Sequence, residues 1–472
     1  MTNPRKYYRG GTWKSSLTRS TIRNPFDDSI VGEHFQASAD DIDAAIRQAR
    51  DGFDATKNLS SAQRYEILLA IADGIKNGRE IFASLITAEV GKPIQFSRVE
   101  VDRAVMTFRL AAEESRRIGG EVLPLDLHPS SAGRFGIVRR FPVGLVLAIT
   151  PFNYPLNLVA HKIAPAIASG NAWILKPPPQ ASLTALELGR VIEASGFPPE
   201  AWSILPCANE VAERLVTDER INMLSFTGSA AVGWALKTKA GKKKVVLELG
   251  GNAGVIVDRT ADVAETARQN VMGSFVFAGQ VCIKVQRIFV HHEIFDKYVE
   301  EFLMRTEQLV SGDPRQEETF IGPLIDDAAA ARVERWIVEA TKSGATLLRG
   351  GRRIGTVLEP TVLLDADRTS SVYCEEVFGP VVTLHRFQEF SEAVRMLNDS
   401  RFGLQAGVFS NDYRNVLYAY RTIEAGAVII NDNPTYRIDH MPYGGIKDSG
   451  FGREGLKYAI DAMTEPKLLV AA

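Results

Sequence analysis

From about residue 143 onward, short apolar runs alternate with amphipathic stretches, and this alternation limits the fold more than any other feature. "VGLVLAIT" (143–150) reads as a buried strand and "PLNLVAHKIAPAIASG" (155–170) as a helix with proline at its start and glycine at its end. "NAWILKP" (171–177), "AWSILP" (201–206), "INMLSFTG" (221–228) and "KKVVLELGG" (243–251) read as further strands, with helices expected over 181–195 and 229–239. Strands separated by helices need right-handed crossovers, so they form a parallel sheet covered on both faces.

A chain of 472 residues exceeds what one core holds and implies two or three domains. A second α/β series runs from about 253 to 432, with helices near 261–278, 294–310 and 327–343 and strands near 404–409 and 426–430. Before residue 117 the pattern is mostly helical: Ser38 is an N-cap for a helix over 38–53, and 98–117 carries an apolar stripe opposite a charged face. The fold class expected is α/β, with two doubly wound parallel-sheet domains.

Composition narrows the partners. A net charge of −2 gives no basic field for nucleic acid or an anionic membrane surface, and no run of about 18 apolar residues appears. The polar N-terminus lacks a signal-peptide core, so a cytoplasmic, soluble protein is expected. Cys207, Cys282 and Cys374 are odd in number and widely spaced, which argues for reduced thiols and against a structural metal site.

The GxGxxG at 450–455 leaves only 17 residues after Gly455, too few to complete a βαβ unit, and reads as a glycine-rich loop before a terminal helix. "SFTGSAAVG" (225–233) is a better phosphate candidate: a strand ends, a helix begins, and the Ser229 hydroxyl and free N–H groups face outward beside Gly228. A plain N-cap has the same appearance. Lys176 in "LKPPPQ" ends a neighbouring strand and suits ribose hydroxyls, although lysines at strand ends are commonly just solvated.

Cys282 in "FAGQVCIKVQ" is either a buried space-filler or a nucleophile. None of the seven histidines forms a Cys/His protease signature with it. Glu248 closes an apolar strand ahead of Gly250 and Gly251, where a strand's carboxyl end meets ligand, and Asn153 in "TPFNYP" has an amide suited to an oxyanion. A surface carboxylate and an ordinary turn asparagine are the plainer readings.

Together "TPFNYP", "LKPPP", "SFTGSAAVG", "LELGGN", "GQVC", "EEVFGP" and "MPYGGIKDSGFGREG" follow the order and approximate spacing of the aldehyde dehydrogenase superfamily, which the chain resembles over about residues 20–470. The resemblance implies oxidation of an aldehyde to a carboxylic acid with NAD or NADP. Cys282 would form a thiohemiacetal whose oxyanion is held by the Asn153 amide and the Cys282 N–H, and then a thioester after hydride transfer. Glu248 would activate the hydrolytic water, with Lys162 and Glu454 matching a proton path from it or a structural salt bridge.

For the cofactor, the resemblance assigns Lys176 to the ribose, Gly228 and Ser229 to the pyrophosphate, and Gly250, Glu376 and Phe378 to the nicotinamide end; no metal is implied. It divides the chain into a cofactor domain (1–117 and 141–247), a catalytic domain (248–432), and a β oligomerisation element with a C-terminal arm (118–140 and 433–472), giving a homodimer or homotetramer.

Departures from the pattern bear on specificity. Pro179 stands where NAD-preferring members commonly carry a glutamate; losing that charge makes a 2′-phosphate acceptable, which favours NADP while leaving NAD open. Arg103 and Arg437 match positions that grip the anionic end in members acting on phosphorylated, phosphonate or carboxylate-bearing aldehydes. Tyr154 is expected on the substrate wall. Those members often carry arginine just before the nucleophile, where this chain has Val281, and Lys284 is a candidate replacement cation or a solvated lysine. The leading expectation is a small hydroxy- or anionic aldehyde; a general aliphatic or aromatic aldehyde is the alternative. Glu248 argues against a CoA-acylating enzyme, and the complete set Cys282, Glu248 and Asn153 against a non-catalytic binding protein.

Overall fold

The structure, a computed structural model, describes residues 3–471; residues 1, 2 and 472, at the outer ends of the expected domain segments, lie outside the described residues. Its largest sheet has eight strands. The central five lie in the spatial order Trp202–Ile204, Ala172–Lys176, Leu145–Ile149, Met223–Thr227, Lys244–Glu248, and all are parallel. Chain order runs outward one way from Leu145–Ile149 through Ala172–Lys176, then jumps to Met223–Thr227 and runs outward the other way. The strand order therefore reverses between Leu145–Ile149 and Met223–Thr227, which opens a crevice at the carboxyl ends of these two strands. Helices Asn157–Ala168 and Ser182–Ala194 make the crossovers, and nearly every residue of the first is buried because it lies under the N-terminal helices.

The N-terminal region departs from the helical expectation. Strands Tyr7–Arg9 and Thr12–Lys14 extend the large sheet antiparallel to Trp202–Ile204, and Arg19–Arg23 pairs with Ile30–Phe35 as a separate hairpin. Each strand is six residues or fewer, too short for periodicity to separate from loop. The helices behind them follow the sequence closely: Ala39–Lys57 starts at Ser38, whose side chain and Asp41 complete a capping box. Ser61–Asn77, Arg79–Val90 and Ile94–Ser115 follow.

The second sheet has seven strands, Thr346–Arg349, Thr361–Leu364, Val381–Phe387, Val285–His291, Ala253–Val257, Gln405–Phe409 and Ala427–Ile430, parallel except at the first pair. A third sheet is antiparallel, with Phe135–Pro142 between Gly120–Pro124 and Thr464–Ala471. The "GFGREG" glycines form no dinucleotide turn: Gly450–Phe451 adds antiparallel to Leu247–Glu248 at the edge of the large sheet, and helix Leu456–Ala462 follows.

Candidate active site

Five of the expected residues, Asn153, Lys176, Gly228, Ser229 and Glu248, stand at the carboxyl edge of one parallel sheet because of strand register. Ile149 lies opposite Lys176 and Phe226, and Thr227 lies opposite Glu248. The loop after Leu145–Ile149 carries Asn153, and the turn after Met223–Thr227 carries Gly228 and Ser229. A cleft of about 710 Å³ opens at this edge, lined by Phe152, Lys176, Pro179, Gly228, Ser229 and Val232 among others.

The cleft fits a dinucleotide's phosphates. Ser229 occupies the N-cap position of helix Ala230–Lys239 without using its side chain as a cap, so its hydroxyl and the helix's first N–H groups are available to an anion. A Cβ at Gly228 would come within 2.5 Å of the Phe226 ring. Lys176 Nζ donates to Asn209 Oδ1 at 3.2 Å, and burial lowers its pKa. Pro179 brings no carboxylate to the wall, and the cleft's own acid, Glu213, is paired with Lys239 at 2.6 Å.

At the other end Glu376 Oε1 accepts from the Gly251 N–H at 3.0 Å. Burial pushes its carboxyl up to about 7, against the pull of that N–H and of Lys284. Neither Gly250 nor Gly251 has a positive φ. Their need for glycine is close approach: a Cβ on Gly250 would collide with the Glu376 carboxylate, and one on Gly251 with the Cys282 carbonyl. Phe378 is held at φ 47 and meets Phe152 edge-on with centroids 6.0 Å apart.

Cys282 lies on the loop between helix Val263–Phe275 and strand Val285–His291. Three consecutive left-handed residues precede it, Phe277 (φ 50), Ala278 (φ 51) and Gly279 (φ 71). Two of them carry side chains, a strain of order 1–2 kcal/mol each that surrounding packing must hold. Asn153 Nδ2 donates to Gln280 O at 2.9 Å, which sets the amide against this loop and leaves its second N–H. The thiol is within 3.0 Å of the Tyr443 hydroxyl. Burial pushes Cys282 up to about 11, the Tyr443 hydrogen bond and Arg437 pull it down, and Glu376 and Glu248 push it further up.

Glu248 is 2% exposed, and among the described residues neither of its carboxylate oxygens has a hydrogen-bond partner. Burial and the neighbouring Glu454 raise its pKa well above the usual carboxylate range, opposed by Arg437, Lys162 and Arg453. A buried carboxylate without a partner is uncommon and marks a group kept for something outside the chain. Gly444 leaves it room: a Cβ there would sit 2.9 Å from Glu248 Oε1. Glu454, in contrast, is a paired anion, with Lys162 Nζ at 2.7 Å, and Lys162 also reaches Ser225 Oγ at 3.1 Å.

The arginines and lysine assigned to substrate differ. Arg437, with its side chain 7% exposed, lies over the Tyr443 ring at 3.6 Å, and its Nε and Nη2 have no hydrogen-bond partner; Glu454 Oε2 is 3.5 Å from Nη2 but out of bonding geometry. Burial raises the Tyr154 phenol to about 12, against the pull of Arg103 and, more weakly, of Arg437.

Arg103 is not a free cation. Its fork is closed on Asp439, at 2.6 and 3.4 Å, and Asp439 also takes His161 Nε2 at 2.8 Å. Lys284 is neither solvated nor a substitute for an arginine at Val281: it is buried, donates to Val381 O at 2.6 Å, and acts on Glu376. Short strand-flanking lysines look alike in sequence whether they turn toward a ligand or into the core.

Tyr443, within "MPYGG", and the pair Lys92 and Glu100 belong to the site although nothing in the sequence assigns them a role. Lys92 and Glu100 form a fully buried ion pair. Glu100 Oε1 accepts from Leu156 N (2.9 Å) and Asn157 N (3.1 Å), capping the helix that follows Asn153. Lys92 Nζ sits over the rings of Tyr154 (3.6 Å) and Phe277 (4.7 Å), joining the Asn153 and Cys282 loops. A lysine and a glutamate eight residues apart, spanning a Gly-Lys-Pro turn into a helix, were the only local signal.

The aldehyde dehydrogenase family model matches residues 13–469. The chain is 42% identical to the 3-sulfolactaldehyde dehydrogenase of Priestia aryabhattai over 473 residues, covering 100% of this chain and 99% of that one. The structure of aldehyde dehydrogenase 21 from Physcomitrella patens in complex with the reaction product succinate superposes with TM-score 0.98 at 41% identity, covering 100% of this chain and 99% of the other. Glyceraldehyde-3-phosphate dehydrogenase GapN from Methanocaldococcus jannaschii, complexed with NADP, gives 0.93 at 39% identity, with 97% and 100% covered. The chain belongs to the aldehyde dehydrogenase family, NAD(P)-dependent oxidoreductases acting on aldehydes.

Proposed function

We propose that this enzyme oxidises a small aldehyde carrying an anionic group or a hydroxyl near the carbonyl, with NADP preferred over NAD. The observation that carries this reading is Arg437: its guanidinium is buried beside Cys282, its ionic neighbour Glu454 lies 3.5 Å away out of bonding geometry, and Nε and Nη2 can therefore donate to an anionic substrate group. The relatives named above act on sulfonated or phosphorylated three-carbon aldehydes, or hold a carboxylate product, and agree with it. Arg103 supports Arg437 indirectly, by neutralising Asp439 two residues away.

Cys282 is the nucleophile. Its thiolate attacks the aldehyde carbon, and the oxygen that takes up the carbonyl electrons is met by the second Asn153 N–H and the Cys282 N–H. The bound cofactor supplies a hydride acceptor. Lys176 would hold its ribose, Ser229 and the N-terminus of Ala230–Lys239 its pyrophosphate, and Glu376, fixed by the Gly251 N–H, the nicotinamide side. Glu248, poised as a base by burial and by Glu454, takes a proton from the water that hydrolyses the Cys282 thioester. Glu454 and Lys162 offer that proton a route inward.

The sheets support a division into a cofactor domain (1–117 and 141–247), a catalytic domain (248–432) and an oligomerisation element with a C-terminal arm (118–140 and 433–472), and the apolar outer residues of the three-stranded sheet, Val122, Leu468, Leu469 and Val470, support a homodimer or homotetramer. Among the described residues no helix is long and apolar enough to cross a membrane, and the three cysteines are unpaired, as suits a cytoplasmic enzyme.

The test is kcat/KM for lactaldehyde, 3-sulfolactaldehyde, glyceraldehyde 3-phosphate and propanal with each cofactor, repeated for Arg437→Ala. The variant should lose about 100-fold or more on the anionic aldehydes and far less on propanal. Equal losses on all four would remove the anion pocket, and full activity in Cys282→Ser would remove the mechanism.

A further inference from the structure

We propose that Tyr443 is a catalytic residue, its phenol donating a hydrogen bond to the Cys282 sulfur and holding the thiolate that attacks the aldehyde. This rests on the reading of Cys282 as the nucleophile.

A thiol becomes a useful nucleophile when a histidine, a cation or a helix N-terminus favours its anion. Among the described residues no histidine bonds the Cys282 sulfur and the residues after it enter a strand, which leaves the Arg437 charge as the one aid of the usual kind. Among the described residues the one side chain bonded to Sγ is Tyr443, at 3.0 Å. The phenol is built into place. Tyr443 is 3% exposed, and its backbone is pinned on both sides, N to Glu454 O at 3.0 Å and O from Glu454 N at 2.7 Å. The Arg437 guanidinium covers its ring at 3.6 Å.

With a neutral thiol either partner donates; with a thiolate only the phenol can. Burial and the adjacent sulfur raise the Tyr443 phenol well above its ordinary range, so it keeps its proton throughout, while the Arg437 charge acts to polarise the O–H toward sulfur. The groups facing Cys282 then divide cleanly. Tyr443 and Arg437 favour the anion, and Glu248, Glu376 and burial oppose it.

In the reaction the thiol proton leaves to Glu248 or to water, and the sulfur lone pair forms the C–S bond. The carbonyl π pair moves to oxygen, and the Tyr443 O–H is released from a sulfur that no longer carries charge. The phenol neither gains nor loses a proton, which separates it from the general base.

The test uses the full-length enzyme without aldehyde or cofactor. The rate of Cys282 alkylation by iodoacetamide is followed against pH, with the Cys282 peptide resolved by mass spectrometry from those of Cys207 and Cys374. In Tyr443→Phe, which keeps the ring under Arg437, the midpoint should rise by about one pH unit, slowing alkylation about tenfold at pH 8. kcat/KM for aldehyde should fall in parallel with little change in KM. An unmoved midpoint in a folded Tyr443→Phe overturns the proposal. Should that variant not fold, 2,3-difluorotyrosine at 443, a stronger donor of the same shape, should lower the midpoint, and an unchanged or raised one overturns it. Failure of the nucleophile reading looks different: Cys282→Ser would still oxidise aldehyde while the alkylation shift in Tyr443→Phe remained.

Discussion

Pro179 and Lys284 show how one side chain can decide a preference or a cost. Placing a carboxylate on the cleft wall with Pro179→Glu gives the adenosine ribose hydroxyls an acceptor and repels a 2′-phosphate. The ratio of kcat/KM for NADP to that for NAD should fall at least about tenfold, and steady-state rates with the two cofactors measure it. Lys284 is a stability prediction. Burial lowers its ammonium to about 7 from an ordinary value near 10.5, so below 10.5 the unfolded chain holds a proton that the fold resists. That penalty is complete at pH 6 and fades as pH rises toward 10.5. Lys284→Met should therefore raise the melting temperature most at pH 6, with the gap from the parent closing by pH 10.

The same two residues mark what sequence discloses. Pro179 was legible because its position in "LKPPPQ" is fixed by the strand before it. The direction of Lys284 was not, because a lysine two residues past Cys282 looks the same whether it faces substrate or the Val381 carbonyl. The partner of Arg103 was hidden for a related reason: Asp439 lies 336 residues away, and only the fold shows the pairing.

Elements carry the site through their ends. Helix Asn157–Ala168 begins without a side-chain cap of its own, and Glu100 from Ile94–Ser115 serves instead, while Lys92 ties Tyr154 to the left-handed Phe277. Removing one partner of a buried pair leaves the other charge stranded, so Lys92→Met should cost about 3–5 kcal/mol in denaturant unfolding. It should also lower kcat, because both the Asn153 and Cys282 loops lose a shared support. Glu100→Gln with Lys92→Met should recover part of the stability, since the stranded charge is gone.

The elements themselves were largely readable: Ser38 announced a helix, and the runs at 143–150, 171–177, 221–228 and 243–251 announced strands that form over 145–149, 172–176, 223–227 and 244–248. Residues 7–35 were not, because strands this short pair with partners far along the chain and leave no period of their own. The bond between Tyr443 and Cys282 was hidden for the same reason, since an isolated bridge from Tyr443 to Glu454 sets the ring in place.

At the scale of the molecule, the antiparallel sheet has Thr464–Ala471 on its edge, with Leu468, Leu469 and Val470 exposed. An apolar edge strand left bare invites pairing with another chain, so a single Leu469→Glu should shift the enzyme toward smaller species, read by light scattering across a concentration series. The chain leading into that strand also supports the candidate site: Tyr443 bonds Cys282, Glu454 bonds Lys162, and helix Leu456–Ala462 runs from them into the edge strand. Anything that loosens the edge strand pulls on the sulfur's hydrogen-bond partner fewer than thirty residues upstream. Specific activity should then depend on how dilute the assay is, declining at nanomolar enzyme as subunits part and recovering when the protein is concentrated again.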